Sequence, residues 1–340
     1  MSDELSERLA RYLAGPFDGT VAVTGLSRIP GGASRETYRF RARYKRDGKE
    51  IERALILRRD PEASLINTER TTEFRAYQAF HKLGLPVPEP IALELSSDVL
   101  DRPFFIMEEI ENCTVGSIVS PDPYGQHREK VGRQFFEALG KIAKANPDDI
   151  GLSEFDGARE DSWKHEVARW ESEIEQDERE PQPIARAAIR WLKRNPPPPA
   201  QKLSVVHGDY RTGNFLIDTE GNIRALLDWE MAHLGDPLED LAWALDPLWS
   251  HGDTEHASGT IPRAQAIAIW EEASGLKVDP KAFLWWEIFA SLKGAAIWIS
   301  AAREYSDMRN PDPINAFSGW YCLAFHNNAL ADRLSALVGA

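Results

Sequence analysis

The sequence predicts an α+β fold in two parts, a small part rich in antiparallel strands and a larger, mainly helical part. Two observations predict it. Within about the first hundred residues, β-branched and alternating segments are separated by Gly, Pro and Asp-Gly turns. After Ile110 the apolar residues recur at helical spacing instead. The chain has 340 residues, enough for about two domains. We therefore expect one lobe over residues 1–108 and a second over 109–340.

Five strands and one helix are predicted in the small lobe. The strands are Thr20–Ile29, Thr37–Lys45, Glu50–Arg59, Ile91–Leu95 and Pro103–Ile110. Asp47-Gly48 predicts a hairpin turn between the second strand and the third. Apolar residues at helical spacing predict a helix over about Asn67 to Leu83, and Gly84 is a stop signal.

Six helices are predicted in the larger lobe. They are Arg128–Ala145, Ser162–Ile174, Ile184–Arg194, Leu238–Leu248, Ile261–Ser274 and a long apolar helix near 282–304. The last contains Glu287 and Lys293. Two charges in about 20 residues favour a buried helix over a membrane span.

Composition excludes several classes of protein. The chain has 54 acidic and 40 basic residues, a net charge of −14, which argues against nucleic acid as a partner. Cys113 and Cys322 are far apart and outside any CxxC pattern, so we expect neither a disulfide framework nor a cysteine metal site. The first residues lack the basic-then-apolar order of a secretory signal. We expect a cytoplasmic protein with no membrane partner, and the sequence makes no prediction of its oligomeric state.

The segment 203–228 carries the strongest functional signal. A short apolar run ends in His207-Gly208-Asp209, and Asn214 follows Asp209 by five residues. Two short strands then form a predicted hairpin in which Asp218 pairs with Ile223 and Phe215 with Leu226, which brings Asn214 and Asp228 to its open end. Carboxylate and amide oxygens are ligands that Mg²⁺ prefers, and one carboxylate is left over as a base.

The pattern HGDYRTGN resembles the protein-kinase catalytic loop, in which an Asp base precedes a metal-binding Asn by five positions. Together with LLDWEMAHLGDPLEDLAW it resembles the aminoglycoside phosphotransferase and choline kinase-like superfamily, with a two-lobed protein-kinase-like fold. It is most similar to the kinase-like domains joined to acyl-CoA dehydrogenases. The resemblance implies that ATP is the phosphoryl donor, that Asn214 and Asp228 hold Mg²⁺, and that Asp209 accepts or orients the proton of a substrate hydroxyl.

The resemblance also implies a nucleotide site in the small lobe. Gly31, Gly32 and Ser34 lie at a turn whose backbone amides would cover phosphates, although a Gly-Gly pair is equally an ordinary hairpin turn. Arg58 stands where the family usually has a phosphate-binding Lys. Its expected helix partner is Glu73, with Glu69 as the alternative.

The connector between the lobes is expected at Met107–Ile110. The resemblance implies that backbone groups of Glu108 and Ile110 would bind adenine. Only seven residues separate Asp228 from Asp236, which leaves no room for the long activation segment of a protein kinase. The spacing therefore favours a small-molecule hydroxyl as acceptor.

The sequence leaves the acceptor and the nucleotide base open. The resemblance makes a hydroxyacyl compound, an amino alcohol or an aminoglycoside a candidate acceptor, and ATP and GTP are both candidate donors. An acidic run over 171–180 is typical of a solvent-exposed face, and a site for a cationic substrate is the alternative. Several tryptophans are typical of core positions, and an aromatic wall for the acceptor is the alternative. A catalytically inactive nucleotide-binding regulator, suggested by Arg58, is the main alternative. A metal-dependent hydrolase would leave the two-lobed order unexplained.

Overall fold

The computed structural model describes residues 2–29, 36–60, 70–116, 120, 122–157, 161–250, 253 and 255–338. The chain divides into two compact units. The first unit comprises Met1–Thr114, Phe215–Thr219 and Ile223–Met231, and the second comprises Val115–Asn214, Glu220–Asn222 and Ala232–Ala340. The predicted lobe boundary at residue 109 stays a prediction.

An antiparallel five-stranded sheet forms the centre of the first unit. Its strands are β1 (Val21–Ile29), β2 (Glu36–Arg46), β3 (Lys49–Arg59), β4 (Pro90–Glu94) and β5 (Phe104–Glu108). Their order in the sheet is β1-β2-β3-β5-β4. Asp47 and Gly48 both have positive φ, 53° and 72°, which suits the tight turn between β2 and β3. The predicted strands and hairpin are confirmed.

Two helices pack with this sheet, α1 (Ser2–Leu13) and α2 (Arg70–Lys82). The prediction contained only α2, so α1 is an addition to it. Leu9 and Leu13 of α1 are fully buried in a cluster with Phe40, Leu55 and Leu57 of β2 and β3. Alternate residues of a strand share a face, so α1 covers one face of the sheet.

A short hairpin completes the first unit. It consists of β8 (Phe215–Ile217) and β9 (Ile223–Leu226), and β8 also pairs with β6 (Thr114–Val115). Phe215 pairs with Leu226 as predicted. The predicted pairing of Asp218 with Ile223 is wrong, because the register shifts after Leu216 and Ile217 pairs with Ile223 instead.

Helices dominate the second unit. They are α3 (Arg128–Lys144), α4 (Ser162–Asp177), α5 (Pro183–Arg194), α6 (Leu238–Ala244), α7 (Arg263–Ser274), α8 (Pro280–Ser306), α9 (Pro313–Phe317) and α10 (Leu323–Val338), with a π-helix at Ser318–Cys322. Two strand pairs accompany them: β7 (Ser204–Val206) with β10 (His233–Gly235), and β11 (His256–Ala257) with β12 (Ile261–Pro262). Helix α6 is shorter than predicted because Pro247 cannot continue a helix. The predicted α+β class is confirmed.

Helix α8 is the longest element, with 27 residues. Its length, and the mean hydropathy of 1.3 over its most apolar window of 18 residues, meet the requirement for crossing a membrane. However, 78% of its most apolar window is buried inside the chain, as in the core helix of a folded domain. The predicted cytoplasmic location stays a prediction.

The burial of α1 makes a testable prediction. Leu9→Ala should lower the free energy of unfolding by about 2–5 kcal/mol, because it leaves a cavity in a packed core. Chemical denaturation of the purified chain measures the loss. Arg11→Ala, at an exposed position of the same helix, is the matched control and should change stability by less than about 0.5 kcal/mol. Equal stability of the two variants would contradict the packing of α1.

Candidate active site

Arg58 of β3 joins two carboxylates in the first unit. Its Nη1 lies 3.0 Å from Glu73 Oε1 on α2, and its Nη2 lies 3.1 Å from Asp228 Oδ1. The Glu73 side chain is fully buried and that of Arg58 is 12% exposed. Burial alone would lower the pKa of Arg58, but the charges of Glu73 and Asp228 outweigh it and raise the pKa, so the guanidinium stays charged. The predicted partner Glu73 thus contacts Arg58, while Glu69 lies outside the described residues.

Asp228 has an unusual backbone conformation for a residue that is not glycine. Its φ is +68°, in the left-handed region, where non-glycine residues are uncommon and often serve a function. The Asp228 backbone N–H donates to the Tyr77 hydroxyl at 3.1 Å. The next residue, Trp229, is fully buried and stacks on Phe80 of α2 at 4.5 Å. Two residues of α2 therefore fix the segment that presents the Asp228 carboxylate to Arg58.

The predicted connector borders a cavity of about 410 Å³. Glu109 and Ile110 line it together with Gly25 of β1 and Phe40 of β2. The Glu108 N–H donates to Glu89 O at 2.9 Å, so that amide is already occupied. Within the described part of the chain, Ile110 makes no backbone hydrogen bond. Its amide and carbonyl are therefore available to a ligand in this cavity.

The predicted phosphate turn cannot be placed in this arrangement. Gly31, Gly32 and Ser34 lie outside the described residues. Their role stays a prediction, based on the sequence alone.

In the second unit, Asp209 is held by three side chains. Arg211 Nε donates to both carboxylate oxygens, at 2.9 and 3.1 Å, and Trp243 Nε1 donates to Oδ1 at 2.9 Å. Asn214 Nδ2 donates to Asp209 Oδ2 at 2.6 Å and to the Asp209 carbonyl at 2.8 Å. The Arg211 guanidinium also lies 4.8 Å from the Trp249 ring centroid. Asp209 is thus fixed by its own loop and by α6.

The loop before Asp209 is fixed by Asp240 of α6. Asp240 Oδ2 accepts from the His207 N–H at 2.6 Å, and Oδ1 accepts from the Gly208 N–H at 3.0 Å. Gly208 has φ +85°, a conformation that glycine adopts without steric cost. His207 Nδ1 accepts from the Asp209 N–H at 3.2 Å, which gives this histidine a structural role in the turn. Burial raises the pKa of Asp240 to about 6, against the hydrogen bonds from the loop, which lower it.

Four buried charges lie behind this loop. Lys293 Nζ of α8 is 3.0 Å from Glu239 Oε1, and His233 Nε2 is 3.1 Å from Glu239 Oε2. Glu166 Oε1 of α4 is 3.7 Å from His233 Nε2. Glu166, His233 and Glu239 have ligand atoms within 4.8 Å of one another, a spacing that suits a metal ion. However, Lys293 and a protonated His233 already balance the two carboxylates, so we interpret the group as an ion network.

Two contacts of Asp209 were not predicted. Arg211 lies only two residues from Asp209, so its place in the same loop was a usable signal. Trp243 is 34 residues away, and no sequence pattern joins it to Asp209. The Trp243 contact depends on where α6 packs.

Comparison with known proteins places this geometry in a family. The sequence profile of the phosphotransferase enzyme family (APH) matches residues 25–276, most of the chain. The chain belongs to this family. The matched range contains Arg58, Glu73, Asp209, Asn214 and Asp228. The resemblance inferred from the sequence is therefore confirmed.

Two curated relatives of this phosphotransferase-family chain carry acyl-CoA dehydrogenase names. Human acyl-CoA dehydrogenase family member 11 is 23% identical over 286 residues, which cover 81% of this chain and 36% of that protein. Mouse acyl-CoA dehydrogenase family member 10 is 29% identical over 244 residues, which cover 70% of this chain and 22% of that protein. The chain thus spans about a third or less of the length of these relatives.

Solved structures share the fold over nearly the whole chain. A candidate aminoglycoside phosphotransferase from Ralstonia eutropha has a TM-score of 0.76 and 20% identity, covering 97% of this chain and 98% of its own. A spectinomycin phosphotransferase in complex with ADP and spectinomycin has a TM-score of 0.57 and 14% identity, covering 96% and 97%. These likenesses confirm the two-lobed, kinase-like fold.

The buried ion network predicts a dependence of stability on pH. Burial lowers the pKa of His233, but Glu166 and Glu239 outweigh it and raise the pKa from 6.5 to about 9. The protonated form is therefore favoured by folding. Protonated His233 therefore raises the free energy of unfolding by about 3 kcal/mol below pH 6.5, and this contribution is lost as the pH rises through 9.

His233→Gln should remove this dependence, because a neutral amide does not titrate. Thermal or urea denaturation at pH 6.5 and pH 9 measures how much stability each variant loses between the two pH values. His81→Gln, at an exposed position, is the control and should keep the slope of the unaltered chain. The same slope in His233→Gln and the control would refute the assignment.

Proposed function

We propose that this chain is an ATP- and Mg²⁺-dependent phosphotransferase that moves the γ-phosphoryl group to a hydroxyl of a small molecule. Membership of the phosphotransferase enzyme family supports the reaction class. Phosphoryl transfer requires positioned reactants and neutralised phosphate charge more than covalent chemistry. The side chains of both units supply groups suited to these tasks.

The observation that carries the proposal is an unpaired donor on Arg58. Arg58 Nε is buried and has no hydrogen-bond partner among the described residues, although both terminal nitrogens contact carboxylates. A buried N–H without a partner is costly, and a phosphate oxygen would satisfy it. Arg58 therefore fits the role of the phosphate-binding Lys, with Glu73 holding it in place. The cavity beside Ile110 fits the base of the nucleotide, which would bind to the free backbone groups there.

Two residues fit a Mg²⁺ ion. Asp228 offers a carboxylate that is 32% exposed. Asn214 uses its amide nitrogen on Asp209, which leaves its amide oxygen for a cation. Asn214 directly precedes β8, and Asp228 follows β9 by two residues. Because β8 and β9 form one hairpin, this position in the chain supports the use of both residues as ligands of one ion. Bound there, Mg²⁺ would neutralise phosphate charge.

Asp209 is proposed as the residue that accepts or orients the acceptor proton. Its carboxylate is held by Arg211, Trp243 and Asn214, so it enters the reaction in a fixed orientation. Fixing the base reduces the entropy lost when the acceptor hydroxyl is aligned. The short segment between Asp228 and α6 folds into a 3₁₀ turn (Trp229–Met231) and β10, which supports a small-molecule acceptor over a protein.

The acceptor class is proposed from the relatives. Their acyl-CoA dehydrogenase names make a hydroxyacyl compound the first candidate. Aminoglycosides and amino alcohols are further candidate acceptors, because structural neighbours are named as an aminoglycoside phosphotransferase and as a choline/ethanolamine kinase family protein. We propose ATP as the donor, and GTP is the alternative donor because one neighbour is a GDP complex.

Replacement of the proposed base tests the reaction. Asp209→Asn should lower acceptor-dependent ADP release by about 10²–10⁴-fold, because the amide cannot accept the proton. Release is measured from Mg·ATP against pools of hydroxyacyl-CoAs, amino alcohols, aminoglycosides and sugars. Nucleotide affinity, measured by calorimetry, should stay close to that of the unaltered chain.

Asp148→Asn, an acidic surface position outside the site, is the matched control and should keep full activity. Full transfer activity in Asp209→Asn would refute the assignment of Asp209 as the base. Tight Mg·ATP binding without release in any pool would favour the inactive regulator over an enzyme.

Replacement of the proposed metal ligand tests the nucleotide site. Asp228→Ala should weaken nucleotide binding in Mg²⁺ by roughly tenfold or more, because it removes a carboxylate ligand of a hard cation. Titration of ADP with and without Mg²⁺ measures the effect. In the unaltered chain Mg²⁺ should strengthen binding, and in Asp228→Ala it should not. A metal-dependent affinity that survives in Asp228→Ala would show that this carboxylate is not the ligand.

A further inference from the structure

Helix α10 brings a fully buried histidine, His326, to the segment just after α6. His326 Nε2 lies 3.1 Å from Asp246 Oδ1, and Trp298 Nε1 of α8 donates to His326 Nδ1 at 2.8 Å. An indole nitrogen can only donate, so Nδ1 is the acceptor and Nε2 carries the hydrogen that Asp246 accepts. The imidazole is therefore held at both of its nitrogens.

Asp246 is a firmly held partner for this histidine. Its Oδ1 also accepts from the Leu248 N–H at 2.9 Å, and its Oδ2 accepts from the Ser291 hydroxyl at 3.2 Å. Burial alone would raise the pKa of Asp246, but His326 and Arg333 outweigh it and lower the pKa, so the carboxylate is ionised. The contact with His326 is therefore charge-assisted and lies in a buried environment, where such bonds are strong.

One aromatic contact leads from His326 directly to a donor of Asp209. Trp243 precedes Asp246 by three residues, and its ring centroid lies 6.3 Å from that of His326, with the planes inclined at 25°. The same indole donates to Asp209 Oδ1 at 2.9 Å. His326 thus contacts the side chain that holds one oxygen of the proposed base.

A second route passes through Trp298 and Trp249. The Trp298 ring is parallel to that of His326 within 5°, at 6.2 Å between centroids, and its centroid lies 6.4 Å from that of Trp249. The Arg211 guanidinium lies 4.8 Å from the Trp249 centroid, and its Nε donates to both oxygens of Asp209. Two of the three side chains that hold the Asp209 carboxylate therefore depend on rings grouped around His326.

The surroundings of His326 are shaped for this ring. Gly294 of α8 lies against it, and a side chain at this position would overlap the imidazole. An aliphatic side chain at position 326 would fill the core but would not define an orientation. A buried polar group with every partner satisfied fixes one arrangement of its neighbours.

We propose that His326 is a positioning residue for Asp209, which acts through Trp243 and keeps the indole N–H directed at the carboxylate. This inference rests on the proposed transferase function and adds a residue to it. Helix α10 lies beyond residues 25–276, the range that the family profile matches, so family membership does not imply this role.

Hydrogen exchange of the indole groups tests whether His326 holds Trp243, independently of activity. The Nε1–H signals are followed by NMR, and each is assigned by its absence from the corresponding Trp→Phe variant. His326→Gln retains a donor for Asp246 but loses the ring, so exchange of the Trp243 Nε1–H should be faster by roughly tenfold or more. The Nε1–H of Trp285 donates to Leu192 O at 3.2 Å and should change much less. A general loss of stability would accelerate both signals.

Kinetics test whether this positioning matters for phosphoryl transfer. His326→Gln should lower kcat for acceptor-dependent ADP release by roughly tenfold or more, because Asp209 is then less well aligned. The KM for the acceptor and the affinity for ADP should stay close to those of the unaltered chain, since no binding group is removed. The double variant with Trp243→Phe should be no slower than Trp243→Phe alone, because the two residues act in series.

Two further variants complete the test. Asn328→Ala, at an exposed position of α10, is the matched control and should change neither exchange nor kcat. Trp298→Phe keeps an aromatic ring and removes the donor to His326 Nδ1, so it should accelerate Trp243 exchange in the same way. It serves as the second test of the contact if His326→Gln does not fold.

Three outcomes would overturn the proposal. They are exchange of Trp243 at the rate of the control, equal acceleration of Trp243 and Trp285, and additive losses of kcat in the double variant. If the unaltered chain transfers phosphate to no acceptor, the proposed function fails, and the exchange of Trp243 relative to Trp285 still decides whether His326 holds the indole.

Discussion

The first unit depends on how the positive charge of Arg58 is balanced by the carboxylates of Glu73 and Asp228. A guanidinium that is 12% exposed, beside a fully buried Glu73, is stable only if its charge is paired. Asp228 supplies the second carboxylate, and its segment is in turn held by Tyr77 of α2. This single bridge joins β3, α2 and the segment after β9. Removal of one member would leave a buried charge unpaired, which explains why an arginine, with its two terminal nitrogens, suits this position.

A comparable constraint holds the Asp209 loop in the second unit. Asp240 fixes the backbone at His207 and Gly208, and Trp243, three residues later on α6, fixes the Asp209 carboxylate. One short helix thus positions both the turn and its functional side chain. The buried pair of Glu239 and Lys293 anchors the same helix to α8. Positioning by rigid elements is what phosphoryl transfer requires of a protein, since the chemistry itself needs little covalent help.

The two faces of the sheet in the first unit differ in chemistry because successive side chains of a β-strand point to opposite faces. Arg58 and Arg59 are adjacent in sequence, yet Arg58 contacts Glu73 of α2, whereas Arg59 contacts Glu36. One face therefore carries α2 and the Arg58 bridge, and the other face is covered by α1.

The sequence by itself determined the fold class, the strand order along the chain, the family and the motif that contains Asp209 and Asn214. The fold class and the strand order follow from local periodicity, which a single chain displays directly, and the family follows from the resemblance that the motif carries. It did not determine the register of β8 and β9, where a shift after Leu216 moved the pairing by one residue. Nor did it predict Trp243 on Asp209, or Arg102 beside Glu36, because these contacts join residues distant in sequence. Only the packing of helices and strands decides which distant side chains meet, and that packing depends on the shape and burial of the whole chain.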